Sequence, residues 1–185
     1  MKTESTVMYV LRLALTLLMI TAVVAAALAG VNSITAPAIE QLTAEKTQLA
    51  IETVLPGGGE LMDSFPETAL VSKVYASDTG YAVEVTPGGF DNTITMMVGV
   101  DKAGNVLGIS IISHTETAGL GAVAAGKGEK SEAFREQFVG QSGSVSVSKD
   151  GGEIDAITGA TVTSRAVCDG VNAALECVAK LGLRR

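Results

Sequence analysis

Hydrophobic positions along this chain keep three different rhythms. From residue 13 to residue 31 they are almost unbroken (LALTLLMITAVVAAALAGV), and no charged residue occurs between Arg12 and Glu40. Coiled as a helix, this run rises about 28 Å, enough to cross the hydrocarbon core of a bilayer. Lys2 and Arg12 precede it and Glu40 and Glu45 follow. The positive-inside rule therefore leaves the N-terminus in the cytoplasm and the rest of the chain outside, as a single-pass protein of the cell (inner) membrane. A cleaved signal peptide would use the same residues, with Lys2 and Arg12 as its basic head and AAALAG as its cleavage region. The run is longer than an ordinary signal-peptide core, which favours a permanent tether; either way the remainder is exported.

Beyond the run the period shifts to that of an amphipathic helix. Pro37 suits a first helical turn, and Ile39, Leu42, Leu49 and Val54 continue the pattern until Gly57, Gly58 and Gly59 end it. The third rhythm is alternation rich in β-branched residues, which predicts strands over 70–76, 81–86, 93–100 and 106–113. The short connections DTG, PGGFDN and DKAGN make these an antiparallel meander. A helical stretch, EAFREQFVG, carries Phe134 and Phe138 at i, i+4, and SVSVS (144–148) reads as one more strand. From 162 to 183, Val162, Val167, Val171, Ala174, Leu175, Val178 and Leu181 fall on one face of a final helix. The class is α+β: a cytoplasmic N-terminus and transmembrane helix over 1–35, a linker helix over 36–60, and an extracytoplasmic domain over 61–185 whose largely antiparallel sheet is packed by the C-terminal helix.

Composition narrows the chemistry. The formal charge is −7, and from residue 31 onward 11 Lys and Arg face 19 Asp and Glu. Nucleic-acid binding needs clustered cations that this chain lacks. Cys168 and Cys177 lie nine residues apart on the last helix, half a turn out of phase and about 13 Å apart along the axis, so they cannot bridge while the helix is intact. With one histidine and no CxxC spacing, no metal site is expected. No dinucleotide fingerprint stands in a βαβ setting, which argues against direct NAD binding.

The chemistry-bearing stretch is DAITGATVTSRAV, residues 155–167. Asp155, Thr158, Gly159, Ala160 and Thr161 stand where an extended segment meets the final helix, and open backbone N–H groups there favour an anion. An ordinary helix start, with Thr158 or Thr161 as N-cap, uses the same residues. A second small-residue segment, SHTETAGLGA (113–122), contains the chain's one histidine, His114.

DAITGAT resembles the D-x-x-[ST]-G-A-T motif of FMN-binding domain proteins, and SHTETAGLGA resembles that family's H-x-E-T-P-G-L-G segment, with Ala118 where the family has Pro. VGVDKAGNVLGISI is similar to the strand pair that precedes it. The single membrane helix, the VLPGG close and the final helix match the layout of the G-subunit family of Rnf ion-translocating oxidoreductases. The resemblance implies FMN held covalently through a phosphoester on Thr161, with Thr158, Gly159, Ala160, Thr163, His114, Glu116, Thr117, Gly119 and Leu120 around it. It also implies a separate flavin transferase that uses FAD and recognises Asp155. Electrons would pass through this FMN between membrane-embedded redox partners, in a complex coupling ferredoxin oxidation and NAD reduction to Na⁺ or H⁺ movement. No independent catalytic activity is expected. Two alternatives share parts of the pattern. One is the related C-type component of the Na⁺-translocating quinone reductase, or a stand-alone extracytoplasmic flavoprotein. The other is a non-redox membrane-anchored binding or structural module in which Thr161 is a plain N-cap.

Overall fold

The computed structural model describes residues 2–66 and 68–182, with side chains from residue 6. Helix α1 runs Lys2–Val54, and its stretch Thr6–Val54 is long and apolar enough to cross a membrane. Apolar side chains around this helix, Leu17, Leu18, Met19 and Leu28 among them, are exposed, the surface that lipid rather than water would cover. Its polar interruptions bond inward: the Thr16 hydroxyl donates to the Arg12 carbonyl at 2.7 Å and that of Thr21 to Leu17 at 3.0 Å.

Pro37 lies inside α1 and does not open a second helix. It deprives the Ser33 carbonyl of an amide partner, but the turns on both sides continue. The chain divides into two compact units between Ala44 and Glu45, inside the segment 36–60 expected as a linker helix; α1 covers that segment only as far as Val54, and Glu60 already belongs to a strand. Of its apolar positions Ile39, Leu42 and Leu49 are exposed, whereas Ala50, Ile51, Val54 and Leu55 are buried with Ala82, Met97 and Ile112.

Those last three residues belong to a five-stranded antiparallel sheet in the order β1-β2-β3-β4-β5: β1 Glu60–Leu61, β2 Val71–Ala76, β3 Gly80–Val85, β4 Thr95–Asp101 and β5 Val106–Ser113. Register is set along its middle by Val74 opposite Val83, Val83 opposite Val98 and Val98 opposite Ile109. Strand side chains alternate between faces, and both faces here are covered. Ala82 of β3 and Met97 of β4 meet the end of α1; Tyr81, Val83, Val85, Met96, Val98 and Val100 join the core built with α3, Thr161–Gly182. β3 is consequently buried at every residue. Gly99 marks the close approach of α1, because a Cβ there would strike the Val54 carbonyl.

Helix α2, Glu129–Glu136, begins earlier than expected and ends before Phe138, so only Phe134 of the pair lies on it. Phe134 and Phe138 meet edge to face with centroids 5.4 Å apart. Residues 144–148 do not form a ladder strand. The Asn172 side chain on α3 takes the place of a strand partner: its Oδ1 accepts the Val145 N–H at 2.7 Å and its Nδ2 donates to the Val145 carbonyl at 2.8 Å. Val147 makes a single parallel bridge to Ile154, and the segment ends in a 3-10 turn, Ser148–Asp150. α3 is buried around most of its circumference; Val162, Arg165, Asp169, Glu176, Ala179 and the last residue, Gly182, are its exposed positions. Val162, expected on the core face, is 46% exposed.

Candidate functional site

The DAITGAT segment turns sharply before α3. The Ala160 N–H donates to the Ile157 carbonyl at 2.9 Å, and Gly159 takes the left-handed conformation, φ +79°, that the turn requires. The Ala160 carbonyl accepts the first helical bond, from Ser164 N–H at 3.0 Å. Ala160 therefore occupies the N-cap position and has no side-chain oxygen to offer, so neither Thr158 nor Thr161 caps the helix as an ordinary helix start would have it. The N–H groups of the first turn, beginning at Thr161, remain open to an anion. Buried Ser164 ties the turn down instead: its Oγ accepts the Ile157 N–H and donates to the Ala160 carbonyl, both at 3.0 Å.

This helix start floors a cleft of about 310 Å³. Gly159, Ala160, Thr161, Val162 and Thr163 form one side; Glu116, Thr117, Leu120 and Gly121 form another. The two motif segments, some forty residues apart in sequence, thus share a wall. The Thr163 hydroxyl donates to Glu116 Oε2 at 2.5 Å, and Leu120 packs over Gly159. The cleft is completed by Phe90 from the β3–β4 turn and by Lys149. Phe90 is 69% exposed and Leu120 43%, so with Val162 they give the cleft an apolar rim. The Lys149 Nζ donates to Thr161 Oγ1 at 3.3 Å. The two oxygens of its neighbour Asp150 are held by Arg165 at 2.7 Å each. That hydrogen-bonded pair holds the Asp150 carboxyl below the usual carboxylate range.

Other expected site residues lie around the cleft rather than in it. His114 Nδ1 accepts the Glu116 N–H at 3.2 Å and so shapes the loop. Gly119, Thr158 and Asp155 line a neighbouring groove with Lys130, Phe134 and Gln137. Gln137 accepts the Asp155 N–H at 2.7 Å and donates to its carbonyl at 3.4 Å, which fixes the backbone and leaves Asp155 on the surface. Gly121, in the GLG run, does reach the cleft wall; Phe90, Lys149 and Val162 were not expected. Phe90 carried a faint signal, a large aromatic in a turn otherwise made of Gly, Pro, Asp and Asn; Lys149 carried none, because only the fold brings its turn to Thr161.

The cleft combines open helix amides and an ammonium, which suit an anionic group, with apolar side chains that suit a ring. The comparisons with known proteins agree. Residues 89–176 match the FMN-binding domain family, a span that contains every residue lining the cleft. Over 90% of its length, and 90% of the relative's, the chain is 33% identical to the G subunit of the Na⁺-translocating ferredoxin:NAD⁺ oxidoreductase complex of Acetobacterium woodii. It is 32% identical to the G subunit of the ion-translocating oxidoreductase complex of Methanosarcina acetivorans, covering 88% of this chain and 91% of that one. The G subunit of the proton-translocating ferredoxin:NAD⁺ oxidoreductase complex of Clostridium ljungdahlii is 39% identical over 56% of this chain and 58% of its own. The class is thus an FMN-binding domain behind an apolar N-terminal helix. Within that class the chain belongs to the G-subunit family of ion-translocating oxidoreductase complexes.

Proposed function

We propose that this protein is the membrane-anchored electron-transfer subunit of an Rnf-type complex and that it carries FMN covalently, as a phosphoester on the Oγ of Thr161. One observation carries the reading: the Thr161 hydroxyl opens α3 inside the cleft where both motif segments meet, 3.3 Å from the Lys149 ammonium. Bound FMN supplies one- and two-electron transfer. The chain's own residues hold and orient it. Lys149 and the first-turn amides of α3 would hold the phosphate, and Phe90, Leu120 and Val162 would supply apolar surface for the ring. Gly159 and Ala160 leave the approach to Thr161 open, Thr158 and Asp155 mark the side from which a transferase reaches it, and Thr163 fixes the helix start. Thr117, Gly119, Glu116 and His114 form the loop that closes the other wall.

Attachment requires a separate flavin transferase. With FAD as donor, the Thr161 Oγ bonds to the flavin-side phosphorus, the pyrophosphate linkage breaks, AMP leaves and the hydroxyl proton passes to the transferase. The cleft offers no free base of its own: Lys149 is a cation, and the Glu116 oxygens already accept hydrogen bonds. The apolar helix crosses the cell membrane with its N-terminus in the cytoplasm, so the FMN works outside. Tethering keeps it at high effective concentration beside neighbouring subunits. The relatives' names supply the overall reaction, ferredoxin:NAD⁺ oxidoreduction coupled to Na⁺ or H⁺ translocation.

Intact mass and in-gel fluorescence test the proposal. Co-expressed with a competent flavin transferase, the protein gains the mass of FMN less one water and keeps a fluorescent band under denaturing conditions; Thr161→Ala loses both. A colourless wild-type protein under the same conditions overturns the reading.

A further inference from the structure

The cleft walls come from three segments distant in sequence: the turn at residues 87–94, the loop at 114–121 and the start of α3. One buried carboxylate joins them. Glu116 is 8% exposed. Its Oε1 accepts the Phe90 N–H at 2.8 Å and the Asp91 N–H at 3.4 Å, and its Oε2 accepts the Thr163 hydroxyl at 2.5 Å. Among the described residues no cation pairs with it, so these donors replace the solvation that burial removed. Space is made for it on both sides. A Cβ on Gly89 would strike Oε1, and one on Gly121 would strike Oε2. Even its own N–H is held, by His114 Nδ1.

We infer that Glu116 is a positioning residue for the cleft whose wall it joins: its carboxylate fastens the Phe90 turn and the Thr163 turn to the motif loop. Phe90 and Thr161 then stand at a fixed separation before any flavin arrives. The inference rests on Thr161 being the attachment site. It extends that reading by assigning a different role to a residue that the family resemblance places beside the flavin. With both oxygens engaged inward, the carboxylate has its hydrogen-bonding capacity directed at protein groups. Pre-organisation of this kind moves the cost of ordering the cleft from binding to folding.

The test uses the full chain in detergent, without flavin for the first measurement and with transferase and FAD for the second. In Glu116→Ala the amides of Phe90 and Asp91 should exchange hydrogen at least about tenfold faster while β3 amides stay protected, the signature of local opening. Modification of Thr161, followed by intact mass, should slow to a similar degree. Glu116→Gln keeps an acceptor for the Phe90 N–H and can still bond Thr163, so it should restore both readings to near wild type. Thr163→Val cuts only the helix branch; it should slow modification while Phe90 stays protected, and it serves if Glu116→Ala fails to fold. Unchanged Phe90 and Asp91 exchange in a folded Glu116→Ala protein overturns the inference. So does Glu116→Gln that exchanges like wild type yet is modified as poorly as Glu116→Ala, since the carboxylate would then be acting on the ligand itself. A wild-type rate of modification in Thr163→Val also overturns it. A wild-type chain that never acquires flavin instead sinks the attachment reading, and the exchange measurement still judges the network.

Discussion

Cys168 and Cys177 sit on opposite sides of α3, yet both are buried, because the helix is covered around most of its circumference. Burial raises both thiols, Cys168 from an ordinary 9.0 to about 12. A thiolate is the reactive species, so neither cysteine should be labelled by iodoacetamide in native protein at pH 8, whereas both should react once urea unfolds the chain; mass spectrometry reads the difference. Rapid native labelling of Cys168 would show that the helix opens locally. The sign of the pH effect follows from linkage. A folded-state pKa above the unfolded one gives a stabilisation that is complete below pH 9 and lost as pH rises toward 12. Cys168→Ala should remove that component, so its pH-dependent loss of stability above pH 9 should be shallower than that of wild type.

Asn172 shows how an element can lie beyond the reach of sequence patterning. The alternation in SVSVS reads as a strand, but among the described residues no sixth strand pairs with it. A side-chain amide on α3 satisfies both backbone groups of Val145 instead. Replacing it with alanine strands a buried N–H and carbonyl, and Asn172→Ala should cost about 1–3 kcal/mol in urea unfolding. A change within error would mean that water takes over both bonds. The meander itself was legible, since period-two runs separated by tight turns leave few alternatives, and so was the turn before α3, where small residues break the extended segment. Glu60 and Leu61 pair as a strand too short to show any period. Lys149 and Phe90 escaped for another reason: their meeting with Thr161 is a product of tertiary packing, to which local periodicity is blind. The same holds for Val162, whose apolar character suits the core in sequence but lines the cleft rim in the fold.

At the scale of the whole chain, the decisive question is where the folded unit begins. The change of hydrophobic period suggested residue 61. The buried cluster that covers the second face of the sheet starts earlier, at Ala50, Ile51, Val54 and Leu55 on the end of α1, and the division into compact units falls at Glu45. Two truncations separate these boundaries. A chain starting at residue 45 keeps the cluster and should melt cooperatively as a water-soluble protein, still accepting FMN on Thr161 from the transferase. A chain starting at 61 leaves Ala82, Met97 and Ile112 uncovered. It loses three large buried side chains, Ile51, Val54 and Leu55, each contributing about 1.5–3 kcal/mol, a sum comparable to the whole stability of an ordinary domain. It should bind a hydrophobic dye, unfold early and take up flavin poorly. Equal melting temperatures for the two truncations would show that the end of α1 rests on the sheet without stabilising it, and would return the boundary to residue 61.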